Sequence, residues 1–240
     1  MLELKDVSYS VEGRDILKNI SISIDDRFVA ITGPNGSGKS TFAKIVAGIL
    51  TPTSGRIILD GTDITDMSIT ERAKLGVSYA FQQPVRFKGL KVKDLLQLAA
   101  GGESDFKTLC DMLSEVGLCA KEYINRDLDA SLSGGELKRI EIAMIVARRS
   151  KLSIFDEPEA GIDLWSFQNL IHIFEKMVKR TEGRILIISH QERILNIADR
   201  IIYLKDGEVN MYDERDVILP QIIGTSASSC KVLSDKMRKE

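Results

Sequence analysis

The chain has 240 residues, 43% hydrophobic and 28% charged, with a formal charge of −2. Such a balance fits a globular protein with room for one large domain, or a core carrying an inserted subdomain, and gives no basic field for nucleic acid. No apolar run approaches the roughly 18 residues a membrane helix needs.

The start, Met1-Leu2-Glu3-Leu4-Lys5-Asp6, has no apolar signal region, so a cytoplasmic protein without direct membrane insertion is expected. Any membrane role would come through a partner chain. Residues 2–9 and 20–24 alternate apolar and polar and read as half-buried strands of an antiparallel β layer. Tyr9 stands in the first of these. Its ring offers a face on which an adenine could stack, and equally an apolar body to pack on a neighbouring strand; the residues leave both open.

Phe28-Val29-Ala30-Ile31-Thr32 is a short apolar, β-branched run and reads as a buried strand. It leads into Gly33-Pro34-Asn35-Gly36-Ser37-Gly38-Lys39-Ser40-Thr41, which matches the phosphate-binding loop G-x-x-x-x-G-K-[ST]. A triphosphate needs many donors close together, and backbone N–H groups reach it where no Cβ intervenes. Lys39 adds a charge for the β- and γ-phosphates, and Ser40 a hydroxyl for Mg²⁺. Phe42, Ile45 and Val46 then recur at helical spacing, so the loop opens a helix whose N-terminus favours an anion.

Residues 56–61 read as a strand ending in an Asp-Gly turn and residues 77–81 as another, followed by Gln82, Gln83 and Pro84. Polar residues beyond a strand's C-terminal end are placed where open α/β sheets bind ligands. From Pro84 to about Arg149 the strand patterns stop. Apolar residues at helical spacing (92, 95, 96, 99, then 106, 109, 112, 113, 116) predict a helical insertion broken at Gly101-Gly102. Within it, Ser133-Gly134-Gly135-Glu136 has the capping-box pattern before an amphipathic helix. A cap alone does not explain two glycines in a first turn, each costing about 1 kcal/mol relative to alanine. We expect a second phosphate contact at that helix start.

Residues 151–157 read as a strand ending in Asp156-Glu157. The first acid can hold Mg²⁺ through water and the second can orient and deprotonate an attacking water. Ala160-Gly161-Ile162-Asp163 follows as a turn, then a long amphipathic helix in which His172 is an ordinary helix residue. The apolar run 184–189 predicts a strand buried on both faces, with His190 at its end beside the expected γ-phosphate. Residues 201–209 read as a hairpin turning at Asp206-Gly207. The stretch 225–240 reads as a polar tail. Cys110, Cys119 and Cys230 have no paired spacing and read as reduced thiols.

These segments, in this order, resemble the ATP-binding cassette (ABC) ATPases over residues 2–214. The resemblance makes Gly33–Thr41 the Walker A loop, Gln82 the Q-loop, Leu132–Glu136 the signature, Leu152–Glu157 the Walker B strand, Asp163 the D-loop and His190 the switch histidine. It implies an α/β fold with a RecA-like P-loop core and β layer (1–84 and 150–224), an inserted α-helical signature subdomain (85–149) and a tail (225–240). It also implies Mg-dependent ATP hydrolysis in an ATP-induced homodimer, with Ser133, Gly134 and Gly135 completing the partner's site, Glu157, His190, Gln82 and Asp163 serving catalysis, and Ser40, Gln82 and Asp156 serving the metal. Within the family, Ala80-Phe81-Gln82-Gln83-Pro84-Val85, Glu136 where transporter subunits usually have Gln, and Ser189-His190-Gln191-Glu192-Arg193-Ile194-Leu195 are similar to SufC, the ATPase of SUF-type iron–sulfur cluster assembly. That likeness implies SufB/SufD-like scaffold partners. Leu137 and Ile140 replace polar residues expected in SufC, Asp156-Glu157-Pro158-Glu159-Ala160-Gly161 is as similar to importer subunits as to SufC, and Tyr9 is more like transporter subunits, whose partners are transmembrane permeases.

Overall fold

Glu12 and Gly13 both take left-handed φ, 50° and 77°, the requirement of a tight hairpin turn. They join β1 (Leu2–Val11) to β2 (Arg14–Ile24). β4 (Ser54–Leu59) pairs with β1, and β5 (Thr62–Asp63) with β4, giving an antiparallel layer ordered β2-β1-β4-β5. The computed structural model describes residues 1–102, 104–129, 131–180 and 183–222; Cys230 and the expected tail 225–240 lie outside them.

The second sheet runs β10-β9-β3-β8-β7-β6. Its strands are β3 (Phe28–Thr32), β6 (Val77–Ala80), β7 (Leu152–Asp156), β8 (Arg184–Ile188), β9 (Arg200–Lys205) and β10 (Glu208–Glu214). The first five are parallel; β10 returns antiparallel to β9 through Asp206-Gly207. Its central strands β3, β7 and β8 are mostly apolar and almost wholly buried because both faces are covered. Val29, Ile31, Ile154, Leu186 and Ile188 join the core shared with the antiparallel layer and helix α1 (Lys39–Ala47). Phe28, Ala30, Phe155, Ile185 and Ile187 face the other core, with α6 (Gly134–Arg148) and α7 (Leu164–Arg180).

Between β6 and β7 the chain is helical: α3 (Val92–Ala100), α4 (Phe106–Glu115), α5 (Ala120–Tyr123) and α6, with α3 and α4 packed on α6. Short helices α2 (Ile69–Lys74) and α8 (Glu192–Leu195) and a helical stretch over residues 215–222 complete the fold. Arg72 of α2 is 1% exposed. It donates to the carbonyls of Ile45 and Val46 at the end of α1, and to those of Met67 and Thr65, so it closes carbonyls that a helix end leaves open.

Register sets up the site. Ala80 pairs with Phe155, Asp156 with Ile188, and Ile31 with Ile188. The C-terminal ends of β6, β7, β8 and β3 therefore lie abreast, and the segments they release start along one sheet edge.

Candidate functional site

β3 delivers the loop 33–41 to this edge. Gly33 has φ 144°, and a Cβ there would stand 1.9 Å from the Leu204 carbonyl oxygen. Gly38, at φ 98°, caps α1 without a side-chain acceptor, and the first turn carries no acid. The leading N–H groups of α1 thus lack an intrahelical partner and face no competing carboxylate of their own turn. Lys39 is buried, and its Nζ donates to the carbonyls of Gly33 and Pro34 at 2.8 Å each. Burial lowers its pKa, while Glu157 and Asp156 pull it back up. Ser37 Oγ is buried and has no hydrogen-bond partner, an open donor within the loop.

The acids come from β7. Asp156 is 2% exposed; its Oδ1 accepts from Ser40 Oγ at 3.0 Å and its Oδ2 from Tyr79 Oη at 2.7 Å. Glu157 lies just past the strand in a left-handed conformation, φ 45°, uncommon for a side-chain-bearing residue and held by its N–H donating to Ile188 O at 3.0 Å. Its Oε2 accepts from Gln82 Nε2 at 2.7 Å, and its Oε1 lies 3.7 Å from His190 Nε2. Burial, and then the Lys39 charge, push the His190 pKa below its ordinary value, against the pull of Glu157. Gln82 and Glu157, distant in sequence, meet because β6 and β7 are neighbours.

Other candidates stand elsewhere. Ser133 Oγ accepts from the Glu136 N–H, and Glu136 Oε2 accepts in turn from the Ser133 N–H, so the capping box is formed. Glu136 also accepts from Tyr123. The cap does not use the Gly134 and Gly135 N–H groups, which have no acceptor inside the helix. A Cβ on Gly134 would meet only the Gly161 carbonyl, at 4.0 Å. These residues thus sit by the loop that carries Asp163. Asp163 is exposed, and its carbonyl accepts from Phe167 at the start of α7. Tyr9 pairs with Leu17 and packs partly on the core between the sheets, and Leu17 in turn touches the position of Gly38.

Sequence reasoning missed the supports. The expected strand 77–81 ends at Ala80, because the Phe81 N–H turns to Glu141 Oε1 at 3.0 Å. Lys138, 1% exposed, donates to the carbonyls of Phe81 and Gln82 and pairs with Glu141 at 3.2 Å. Both lie on α6, on the face that also buries Leu137; that shared helical spacing was the available signal. Ser189, fully buried, donates to Glu159 Oε1 at 2.5 Å and accepts from the Gln191 N–H.

The donors can hold a hard cation. Among the described residues no group of three or more His, Cys, Asp or Glu could cage a metal. One carboxylate, one hydroxyl and one amide oxygen suit Mg²⁺, which keeps waters and takes phosphate oxygens rather than a full protein shell.

Known proteins fit this geometry. A family model described as ABC transporter matches residues 17–160. The chain belongs to this family. It is similar to the uncharacterized ABC transporter ATP-binding protein MJ0035 of Methanocaldococcus jannaschii, at 39% identity over 87% of each chain. The probable ATP-dependent transporter slr0075 of Synechocystis is 32% identical over 91% of each. Among solved structures, the ATP-binding cassette MJ0796, dimeric and bound to ADP and Pi, superposes with a TM-score of 0.79 at 26% identity, over 90% of this chain and 99% of that one. This chain accordingly has the ABC ATPase fold, binds ATP and hydrolyses it.

Proposed function

We propose that this ABC ATPase is the SufC-like, Mg-dependent motor of a SUF-type iron–sulfur cluster assembly complex, closing into a homodimer on ATP and transmitting that closure to SufB/SufD-like scaffold subunits. The observation that carries the catalytic part is Glu157 held between Gln82 at 2.7 Å and His190 at 3.7 Å. In this reading the amides and side chains of residues 33–41 and Lys39 hold the phosphates. Ser40, Asp156 and Gln82 hold Mg²⁺, which when bound neutralises charge on the phosphate oxygens. Glu157 orients a water and takes its proton as the water oxygen bonds to the γ-phosphorus and the bond to the ADP oxygen breaks. His190 contacts the γ-phosphate, Tyr9 the adenine, and Asp163 the dimer seam. Ser133 contributes its side chain, and Gly134 and Gly135 their free amides, to the partner protomer's nucleotide. The core occupies 1–84 and 150–224, and 85–149 is the moving helical unit.

The Glu157→Gln variant keeps the hydrogen-bonding shape and loses the base. It binds ATP like the parent and loses turnover by 10²-fold or more, on the order of a general base's contribution. Near-normal phosphate release by the variant removes Glu157 from this role.

The SUF assignment is supported by the residues around Gln82, Glu136 and His190; an apolar wall beside the Q-loop offers a place for a partner segment. Phe81, 41% exposed, and the exposed Val85, Phe87 and Leu98 line a cavity of about 340 Å³ with Ile69 and Leu95. We assign it to an apolar segment of a scaffold subunit. The second reading, the ATP-binding subunit of a membrane importer, is favoured by the transporter names of the relatives. Co-purification with mass spectrometry separates the two: a partner that binds an iron–sulfur cluster supports the first, and an integral-membrane partner overturns it.

A further inference from the structure

Tyr79 spans two environments. Its ring lies on the apolar wall just described, edge-on to Phe81 with centroids 4.9 Å apart and planes at 72°. Its hydroxyl points the other way, donating to Asp156 Oδ2 at 2.7 Å. The strand pairing fixes this reach: Tyr79 lies opposite Ile154 on β7, two residues before Asp156 and on the same strand face.

Asp156 needs that donor. At 2% exposure its carboxylate has little water to solvate it, and an anionic oxygen buried without a donor is costly. Ser40 Oγ serves Oδ1. Tyr79 serves Oδ2 through its phenolic O–H. With Oδ2 fixed, Oδ1 is held toward Ser40, the second oxygen expected on the metal.

We propose that Tyr79 is a positioning residue that aims Asp156 at the metal, so that the magnesium affinity of the nucleotide site depends on one phenolic hydroxyl outside the phosphate-binding loop. The proposal rests on the reading of Asp156 as the metal-holding acid. Outer hydrogen bonds of this kind alter metal affinity by about 10- to 100-fold when removed.

The Tyr79→Phe variant keeps the ring and its contact with Phe81. ADP binding is titrated by calorimetry in EDTA and then across a magnesium series, for the parent, Tyr79→Phe and Asp156→Asn. The expected result is an EDTA affinity within twofold of the parent, with the half-saturating magnesium concentration raised about tenfold or more. A magnesium requirement within twofold of the parent overturns the proposal. So does a parallel loss of affinity with and without the metal, the mark of a structural role. If Asp156→Asn leaves the parent's magnesium dependence intact, it is the reading of Asp156 that falls, a distinct result. Tyr79→Met, which also fills the wall without a donor, is measured alongside and is read by the same criteria should Tyr79→Phe fail to fold.

Discussion

Glu159 is a carboxylate in a place that resists charge. Its Oε2 is buried without a partner, while Oε1 takes the Ser189 hydroxyl. Burial raises its pKa above the ordinary value, and the Ser189 bond only partly opposes this. The folded state thus holds this proton more tightly than the unfolded chain does. The group's contribution to stability is fully present below the unfolded value, near 4.5, and is lost as pH rises through the higher folded value. Glu159→Gln has no proton to lose there. The urea midpoints of parent and variant, compared at acid and neutral pH, should therefore converge or cross in the variant's favour as pH rises. A difference that stays constant with pH refutes the assignment. The backbone of this segment has its own cost: Glu157 at φ 45° is a local strain that the Ile188 carbonyl offsets, at the residue for which the chemistry needs a fixed direction.

At the scale of elements, α1 is open at its N-terminus and closed at its C-terminus by the Gly48 N–H, which donates to Ile45 O at 3.1 Å, and by Arg72. Replacing Arg72 with Met keeps much of the volume and removes the donor from the Val46, Thr65 and Met67 carbonyls, while Ile45 O keeps the Gly48 N–H. The expected loss is about 3 kcal/mol, from buried acceptors left unpaired, with the thermal midpoint falling by roughly 10 °C for a domain of this size. Lys74→Met, on an exposed position of the same helix, should stay within about 0.5 kcal/mol of the parent. Differential scanning calorimetry on both variants checks this, and equal losses would mean that α2, not the Arg72 bonds, sets the effect.

This pair also marks what sequence could show. Strands β3 and β8 were legible because sheets buried on both faces leave apolar runs, β7 because a mainly apolar run ends in two acids, and α3, α4 and α7 because their apolar residues keep helical spacing. The loop 33–41 and the acids Asp156-Glu157 were legible from local chemistry. β2 begins six residues before the alternation at Ile20: it is a sheet edge, irregularly paired with β1, so Arg14, Asp15 and Lys18 carry no apolar pattern. What Arg72, Lys138, Glu141 and Tyr79 support was illegible, even where helical spacing put Lys138 and Glu141 on a buried face, because each reaches a partner 26 or more residues away, as Arg72 does toward Val46. No local pattern separates a buried cation with carbonyl partners from a solvated one. Ser133 was read for both of its features, the cap and the adjoining bare amides, and the cap is formed.

At the scale of the molecule, the two halves of the proposed site face different ways of being completed. Lys39, Asp156, Glu157, Gln82 and His190 converge within one chain, whereas the Ser133 cap turns inward on its own helix and leaves the Gly134 and Gly135 amides without a partner in that helix. A dimer in which each signature meets the other chain's phosphates makes use of both facts, and it predicts complementation. Lys39→Ala disables its own phosphate site and keeps its signature. Ser133→Arg blocks its own signature and keeps its phosphate site. Each variant alone forms dimers with two broken sites and should show negligible turnover. Mixed in equal amounts, random pairing puts about half of the dimers in the hybrid form, each with one intact composite site, so phosphate release should recover to roughly a quarter of the parent rate if sites act independently. A cooperative pair of sites would lower that recovery, yet any recovery above the sum of the separate variants requires a shared site. If the Ser133→Arg chain alone turns over ATP like the parent, the signature does not complete the site and the closed dimer is not the active form.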